Sequence, residues 1–266
     1  MMNKKAHIIT VSNEKGGTGK STVSMHLAIT LMQEKFKVAV IDMDGRQGTL
    51  SRYIENRINF AKQNNINLII PQLVTITPRA NSGEYDNHIS EINMLVEEIS
   101  KTYDAIIIDT PGAKNYLFET AHKLSDTLIT PLSDSLIDLN VLAELDNQSK
   151  EKHKAGHYAQ FVWEIKKYLA MKGKPMLNWI VVGNKISPLN SRNKTLFFEK
   201  LENISKLYGF RVASGIKDRV IYKELFLQGL TVLDLNSEAL KSRLTLSHLA
   251  AKQEIKNLAE FICPQQ

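Results

Sequence analysis

A doubly wound α/β fold, with a mostly parallel sheet and helices on both of its faces, is the architecture this 266-residue sequence predicts. Three observations point to it. Short Val- and Ile-rich runs recur along the chain, they alternate with longer segments of helical period, and they are continuously apolar, as strands covered on both faces must be. The first run is HIITVS at 7–12, followed by a helix whose Val23, Leu27, Ala28 and Leu31 share one face. The second is KVAVID at 37–42. Ile89, Ile92, Leu95, Val96 and Ile99 then mark a helix before the third run, DAIIID at 104–109. TLITPL at 127–132 and NWIVVG at 178–183 follow, and Phe197, Leu201, Ile204 and Tyr208 repeat the helical spacing. Strand and helix in alternation imply parallel pairing, with ligands at the carboxyl ends of the strands. Residues 62–88 contain NN, two prolines and NSGEYDN, and are expected to form a surface excursion. No linker divides the chain, so residues 1–266 read as one domain.

A chain of this length should bury roughly 70–75% of its unfolded surface and needs no covalent staples. Its one cysteine, Cys263, excludes an internal disulfide and fits a reducing cytoplasm. The N-terminal apolar run is too short for a signal peptide, and no run approaches the length of a membrane-spanning helix. The protein is expected to be soluble. Formal charge is +6, but it is unevenly spread: residues 1–150 carry 15 basic and 18 acidic side chains, residues 151–266 carry 19 and 10. The C-terminal half therefore suits an anionic partner, or simply presents a solvated basic surface.

The stretch VSNEKGGTGKST, Val11 to Thr22, leads from the first strand into the first helix. Gly16, Gly17 and Gly19 let the backbone turn tightly and aim N–H groups at phosphate oxygens, and the helix start adds its positive end. Lys20 is placed to reach the β and γ phosphates of a nucleotide, the Ser21 hydroxyl to ligate Mg²⁺, and Thr22 to support the α phosphate. A phosphate-binding loop of the G-x-x-x-x-G-K-[ST] form has glycine at its first position; here that position is Glu14, and Lys15 beside it is a second loop lysine. Asp109, ending the DAIIID strand, is the candidate second metal ligand, and Gly112 lets the next segment respond to the γ phosphate. Asp42 and Asp44 end the KVAVID strand two residues apart: the first is expected to support the Mg²⁺ shell, the second to orient the attacking water as the catalytic carboxylate. Asn184, just past NWIVVG, offers an amide to the adenine edge, with a plain turn role as the alternative.

The loop form KGGxGK[ST] resembles the ParA/MinD branch of P-loop ATPases. In that branch the lysine matching Lys15 crosses a dimer interface to the partner's phosphates, so the resemblance implies ATP as the glue of a symmetric dimer and a catalytic role for Lys15 beside Lys20 and Asp44. It also assigns the loop from Glu14 through Lys15, Gly16, Gly17, Thr18, Gly19, Lys20, Ser21 and Thr22 to nucleotide binding. Within the branch the chain is similar to the MipZ family along nearly its whole length, through VAVIDMDGRQGTLSRYIENR, IIIDTPG, VWEIKKY, DRVIYKELFLQGLTVLDL and LSHLAAKQEI. ParA proteins usually have D-x-D-P-Q-G-N after the second strand; this chain has Gly45, Arg46 and Gln47 there. The MipZ resemblance implies a slow, Mg²⁺-dependent ATPase that positions the division plane. It would be recruited by ParB, bind DNA without sequence preference, associate with the nucleoid and inhibit FtsZ polymerisation. A ParA-type partition ATPase shares every catalytic residue and is the alternative. A metabolic kinase would need an acceptor pocket and lid motifs that are not seen, and a plain DNA-binding protein would not need the intact Lys20, Ser21, Asp44 and Asp109 set.

From Lys185 to Lys223 nine basic residues face three acidic ones. Arg192, Lys194, Arg211, Lys217 and Arg219 are the candidate contacts to DNA phosphates, since no base-reading motif accompanies them. His153 and His157 have a spacing that could hold a metal, but their lysine-rich setting reads as a solvated helix end. Phe161, Trp163 and Tyr168 read as core packing, with a partner surface as the alternative. Ala251, Ile255, Leu258 and Ile262 form one side of a last helix that is expected to pack on the domain rather than anchor to a membrane.

Overall fold

A computed structural model describes residues 5–144, 154–187, 192–236 and 245–262, without the side chains of Arg192, Asn193 and Asn236. His153 and Cys263 lie outside the described residues. The strands are β1 His7–Val11, β2 Val38–Asp42, β3 Gln72–Thr75, β4 Ala105–Asp109, β5 Thr127–Leu132, β6 Ala143–Glu144, β7 Lys154–Ala155, β8 Asn178–Gly183 and β9 Arg211–Ala213. Seven of them form one sheet in the order β3-β2-β4-β1-β5-β8-β9, and every pairing in it is parallel. The other two, β6 and β7, make a separate antiparallel pair.

The helices are α1 Lys20–Gln33, α2 Thr49–Asn64, α3 Tyr85–Ser100, α4 Tyr116–Leu124, α5 His157–Met171, α6 Arg192–Tyr208, α7 Ile221–Gln228 and α8 Leu246–Ile262. They cover both faces because the strands alternate. Ile9, Val40, Ile107, Ile129 and Ile180 point to one cluster with α1, α2, α7 and α8. Ile106, Ile108, Leu128 and Val181 point the other way, toward α3, α4, α5 and α6. Two-sided burial explains why these strands have no polar alternation. It also makes each large aliphatic side chain worth about 1.5–3 kcal/mol.

Besides the short pair β6 and β7, two strands escape the sequence reading, and both are edges of the seven-stranded sheet. β3 lies inside the stretch expected to be an excursion, and β9 is three residues long. An edge strand is covered less, so it carries no continuous apolar run. The expected helix faces hold in part: Ile92 and Val96 are buried, but Leu95 is 36% exposed. Ala251, Ile255, Leu258 and Ile262 of α8 are all buried in the cluster that contains α1. Among the described residues no helix is long and apolar enough to cross a membrane.

Candidate nucleotide site

The chain leaves the central strand β1 through Asn13, whose side chain fixes the loop. Its Nδ2 donates to the Pro131 carbonyl at 2.8 Å, and its Oδ1 accepts from the Lys15 N–H at 2.9 Å. Gly17 and Gly19 then take φ of 75° and 90°, which side chains rarely allow. A Cβ on Gly19 would also lie 2.2 Å from Asn184 Nδ2. α1 starts on this glycine cap with no side-chain hydrogen bond and no acid in its first turn. Its first N–H groups and dipole end are left for an anion. They border a cavity of about 560 Å³ lined on this side by Gly16, Gly17, Gly19, Lys20, Ser21 and Thr22.

Lys20 lines the cavity and donates from Nζ to the Lys15 carbonyl at 3.2 Å. Burial lowers its pKa, against the opposing charges of Asp109 and Asp44. Asp109 is buried at the end of β4 and accepts from Ser21 Oγ at 2.6 Å and Ser24 Oγ at 3.3 Å. Burial, helped by the charge of Asp42, pushes its carboxyl up to about 7, against those hydrogen bonds and Lys20. The serine and the strand-end carboxylate expected at a cation are thus in direct contact.

Asp42 ends β2 as the sequence predicts, and its carboxylate is held by neighbouring donors. Its Oδ1 accepts from the Asp44 N–H at 3.0 Å, and its Oδ2 accepts from the Ser51 N–H and hydroxyl at 2.9 and 2.8 Å. A carboxylate occupied in this way ties the first turn of α2, through Ser51, to the loop that carries Asp44. Asp44 itself lines the cavity across from Lys20. Its pKa is raised by burial first and the charge of Asp42 second, against Lys20 and a backbone N–H from Gln47.

Lys15 folds back onto its own chain, with Nζ on the Asp138 carboxylate, which also accepts from Ser133 Oγ. The side chain of Lys15 is still 50% exposed. Glu14 turns its carboxylate to His157 at the start of α5, with Lys114 nearby, and burial raises its pKa. The Glu14 side chain thus faces α5 rather than the cavity, while His157 is exposed at a helix end, as expected, with this carboxylate as its neighbour. Thr18 contributes its carbonyl, which accepts from Asn184 Nδ2 at 2.7 Å, while Lys185 Nζ donates to the Gly17 carbonyl at 2.6 Å. Asn184 thus braces the loop while bordering the cavity.

Away from the glycines the cavity runs between Asn184 and the segment Ile216, Lys217, Asp218 and Arg219, and ends on Tyr222, Phe226 and Ile255. Sequence reasoning missed this wall, because its residues come from an irregular segment and two helices. It also revises the basic patch. Arg219 makes a bidentate pair with Glu254 at 2.5 and 2.8 Å, and Arg211 lies over the Phe261 ring and donates to the Phe261 carbonyl. Both guanidinium groups have internal partners, so they are poor candidates for phosphate contact. Lys217 remains exposed at the cavity wall, Lys194 is half-buried on α6, and the Arg192 side chain lies outside the description.

The family model for the ATPase MipZ matches residues 7–262. The chain belongs to the MipZ family. Among curated relatives of this MipZ-family chain, the chromosome partitioning protein ParA of Myxococcus xanthus is 28% identical over 52% of the chain and 56% of its own length. The septum site-determining protein MinD of Helicobacter pylori is 28% identical over 57% of the chain and 63% of its own length. The chain therefore spans little more than half of these relatives. A solved ATP complex of a Cyanothece McdA variant has a TM-score of 0.66 at 15% identity, over 99% of this chain and 98% of that one. At that identity the likeness concerns the fold, which is the ParA/MinD type.

Proposed function

We propose that this MipZ-family chain is an ATP-dependent dimerising switch that hydrolyses ATP slowly and positions the division site. The observation that carries the reading is the second loop lysine, Lys15, half exposed on a loop whose other lysine lines the cavity. Lys20, the glycine N–H groups and the start of α1 bind the triphosphate, and the wall from Ile216 to Arg219 with Asn184 takes the base.

Ser21 and Asp109 fit a Mg²⁺ ion: a buried strand-end carboxyl, pushed up by burial, touches the hydroxyl expected to share the ion. Phosphate oxygens of the nucleotide and water would complete its shell, as is usual for Mg²⁺. When bound, the ion neutralises charge on the phosphates. Asp44 orients the attacking water and receives its proton, a role supported by its raised pKa and its place on the cavity wall. Asp42 holds Asp44 in place.

In the dimer Lys15 leaves Asp138 for the partner's phosphates, and hydrolysis reverses the exchange. Dimerisation doubles the basic surface around Lys194, Lys217 and the start of α6, giving nucleotide-dependent binding to DNA without sequence choice. The monomer is recruited by ParB and the dimer inhibits FtsZ polymerisation, in the cytoplasm on the nucleoid. The M. xanthus relative supports the second reading, a partition ATPase of the ParA type.

Size-exclusion chromatography of wild type and Asp44→Ala, with and without ATP, tests the core of the proposal: the variant should elute as a dimer only with ATP. A variant that stays monomeric in saturating ATP overturns it. Adding DNA, ParB and FtsZ in turn separates the two readings, since only a division-positioning ATPase should dissolve FtsZ filaments.

A further inference from the structure

Trp163, expected in the core, is 57% exposed on the outer face of α5. Three other large apolar side chains share that surface: Tyr168 at 36%, Met171 at 87% and, just beyond the helix, Met176 at 88% exposure. The inner face of α5 is fully committed to the core through Val162, Ile165 and Leu169, so this outer stripe is not a displaced core face. Lysines are interleaved with it. Lys167 lies over the Trp163 ring at 5.5 Å, and Lys123 from α4 and Lys172 lie over the Tyr168 ring at 4.8 and 6.0 Å. Lys174 donates to the Lys123 carbonyl at 3.0 Å, which brings a further cation to the same place. Among the described residues the carboxylates of this face are Glu119 and Glu164, each already paired with a lysine, at 2.5 and 2.8 Å.

We propose that the outer face of α5, with the end of α4, docks an acidic segment of another protein that carries an apolar anchor side chain. Charge complementarity selects the partner: cations outnumber acids, and the two carboxylates of the face are taken by Lys123 and Lys167 rather than by Lys172 or Lys174. Exposed Trp, Tyr and Met are the side chains enriched at protein interfaces, and methionine adapts to different apolar guests. A phosphate-bearing surface fits less well. Glu119 and Glu164 stand within the stripe and would oppose a nucleic acid or an anionic membrane, whereas a peptide can place apolar residues beside them. The face is also separate from the nucleotide cavity: α5 begins at His157, beside Glu14 of the loop, and its exposed end leads into the start of β8, at the end of the strands away from the loop.

The test is a random 12-residue peptide library displayed on phage, selected on the full-length chain and on a Trp163→Ser/Lys167→Glu/Met171→Ser variant whose changes are all on exposed positions. The selected peptides should combine several Asp or Glu with at least one large apolar residue. The synthetic form of the leading peptide should shift the emission of Trp163, since the only other tryptophan, Trp179, is buried. It should bind the variant at least about tenfold more weakly. Failure to enrich such peptides, or equal binding to the variant with an unchanged circular dichroism spectrum, overturns the proposal. So does variant-sensitive sedimentation with phosphatidylglycerol vesicles, or variant-sensitive retention of duplex DNA, in place of peptide capture.

Discussion

Asp42 and Asp109 are register partners on the adjacent parallel strands β2 and β4, yet their carboxylates serve different neighbours. Asp109 faces the serines of α1, and Asp42 faces the backbone of Asp44 and Ser51. The charge of Asp42 adds to the cost of ionising Asp109, and of the two carboxylates Asp42 is the one that accepts from backbone N–H groups. That division of labour separates a cation-binding acid from an acid that shapes the loop.

Asp44→Ala should leave nucleotide affinity near wild type and lower turnover about 100- to 10,000-fold. Asp42→Asn should also lower turnover, through misplacement of Asp44, while loosening the start of α2. Nucleotide titration together with a phosphate-release assay distinguishes the two: normal turnover in Asp44→Ala removes it from the chemistry.

Asp138 holds Lys15 in the isolated chain, so Asp138→Ala should shift dimerisation to lower ATP concentration. Lys15→Ala should bind ATP and remain monomeric. Light scattering during an ATP titration checks both, and a dimer of Lys15→Ala at ordinary ATP would show that the lysine does not bridge subunits.

Arg57 is fully buried on α2 and makes a bidentate pair with Asp234 at 2.8 Å for both contacts, with a further bond to the Gly229 carbonyl at 3.0 Å. This joins α2 to the segment after α7. Arg57→Ala strands a buried carboxylate and should cost about 3–5 kcal/mol of stability, while the double change Arg57→Met with Asp234→Leu should cost less. Urea midpoints measure the difference.

His26 and His122 are buried and neutral. Each donates from Nδ1 to a carbonyl four residues back, that of Thr22 or Phe118, and burial takes each pKa from 6.5 to about 4. A lowered folded pKa gives stability that is complete above pH 6.5 and lost as pH falls toward 4. Each histidine should contribute a slope of about 1.4 kcal/mol per pH unit in that window. In nucleotide-free protein Asp109 acts in the opposite sense, because its raised carboxyl takes up a proton in the folded state below about 7. Asp44 and Glu14, also raised by burial, act with Asp109, and His122→Gln should lower the measured slope by about 1.4 kcal/mol per pH unit. Urea denaturation at a series of pH values gives the slope directly.

Much of the fold is legible in the sequence wherever burial is two-sided. Five strands were readable because Ile, Val and Leu fill both faces of each, whereas β3 and β9 lose that signature at the sheet edges. The phosphate loop was readable because close backbone approach demands glycine and charge demands lysine. What stayed hidden is long-range pairing: nothing local to Lys15 predicts Asp138, and nothing local to Arg219 predicts Glu254. The contact of Asp42 with Ser51 stayed hidden for the same reason, since the serine belongs to a different element nine residues on. Trp163 misled because an apolar residue at a helical position looks the same whether the face it joins is inward or outward.

The central position of β1 has a consequence for biosynthesis. β1 precedes the other strands of its sheet along the chain and is also the innermost, and the residue beside the end of β4, Thr110, bonds Ser12 across 98 residues of chain. The glycine loop consequently emerges long before the acids that complete its pocket, and such distant closures are slow to form. A ligand in that cavity can reward only a chain already made as far as the wall from Ile216 to Ile255, so it should protect the finished protein without hastening its early collapse.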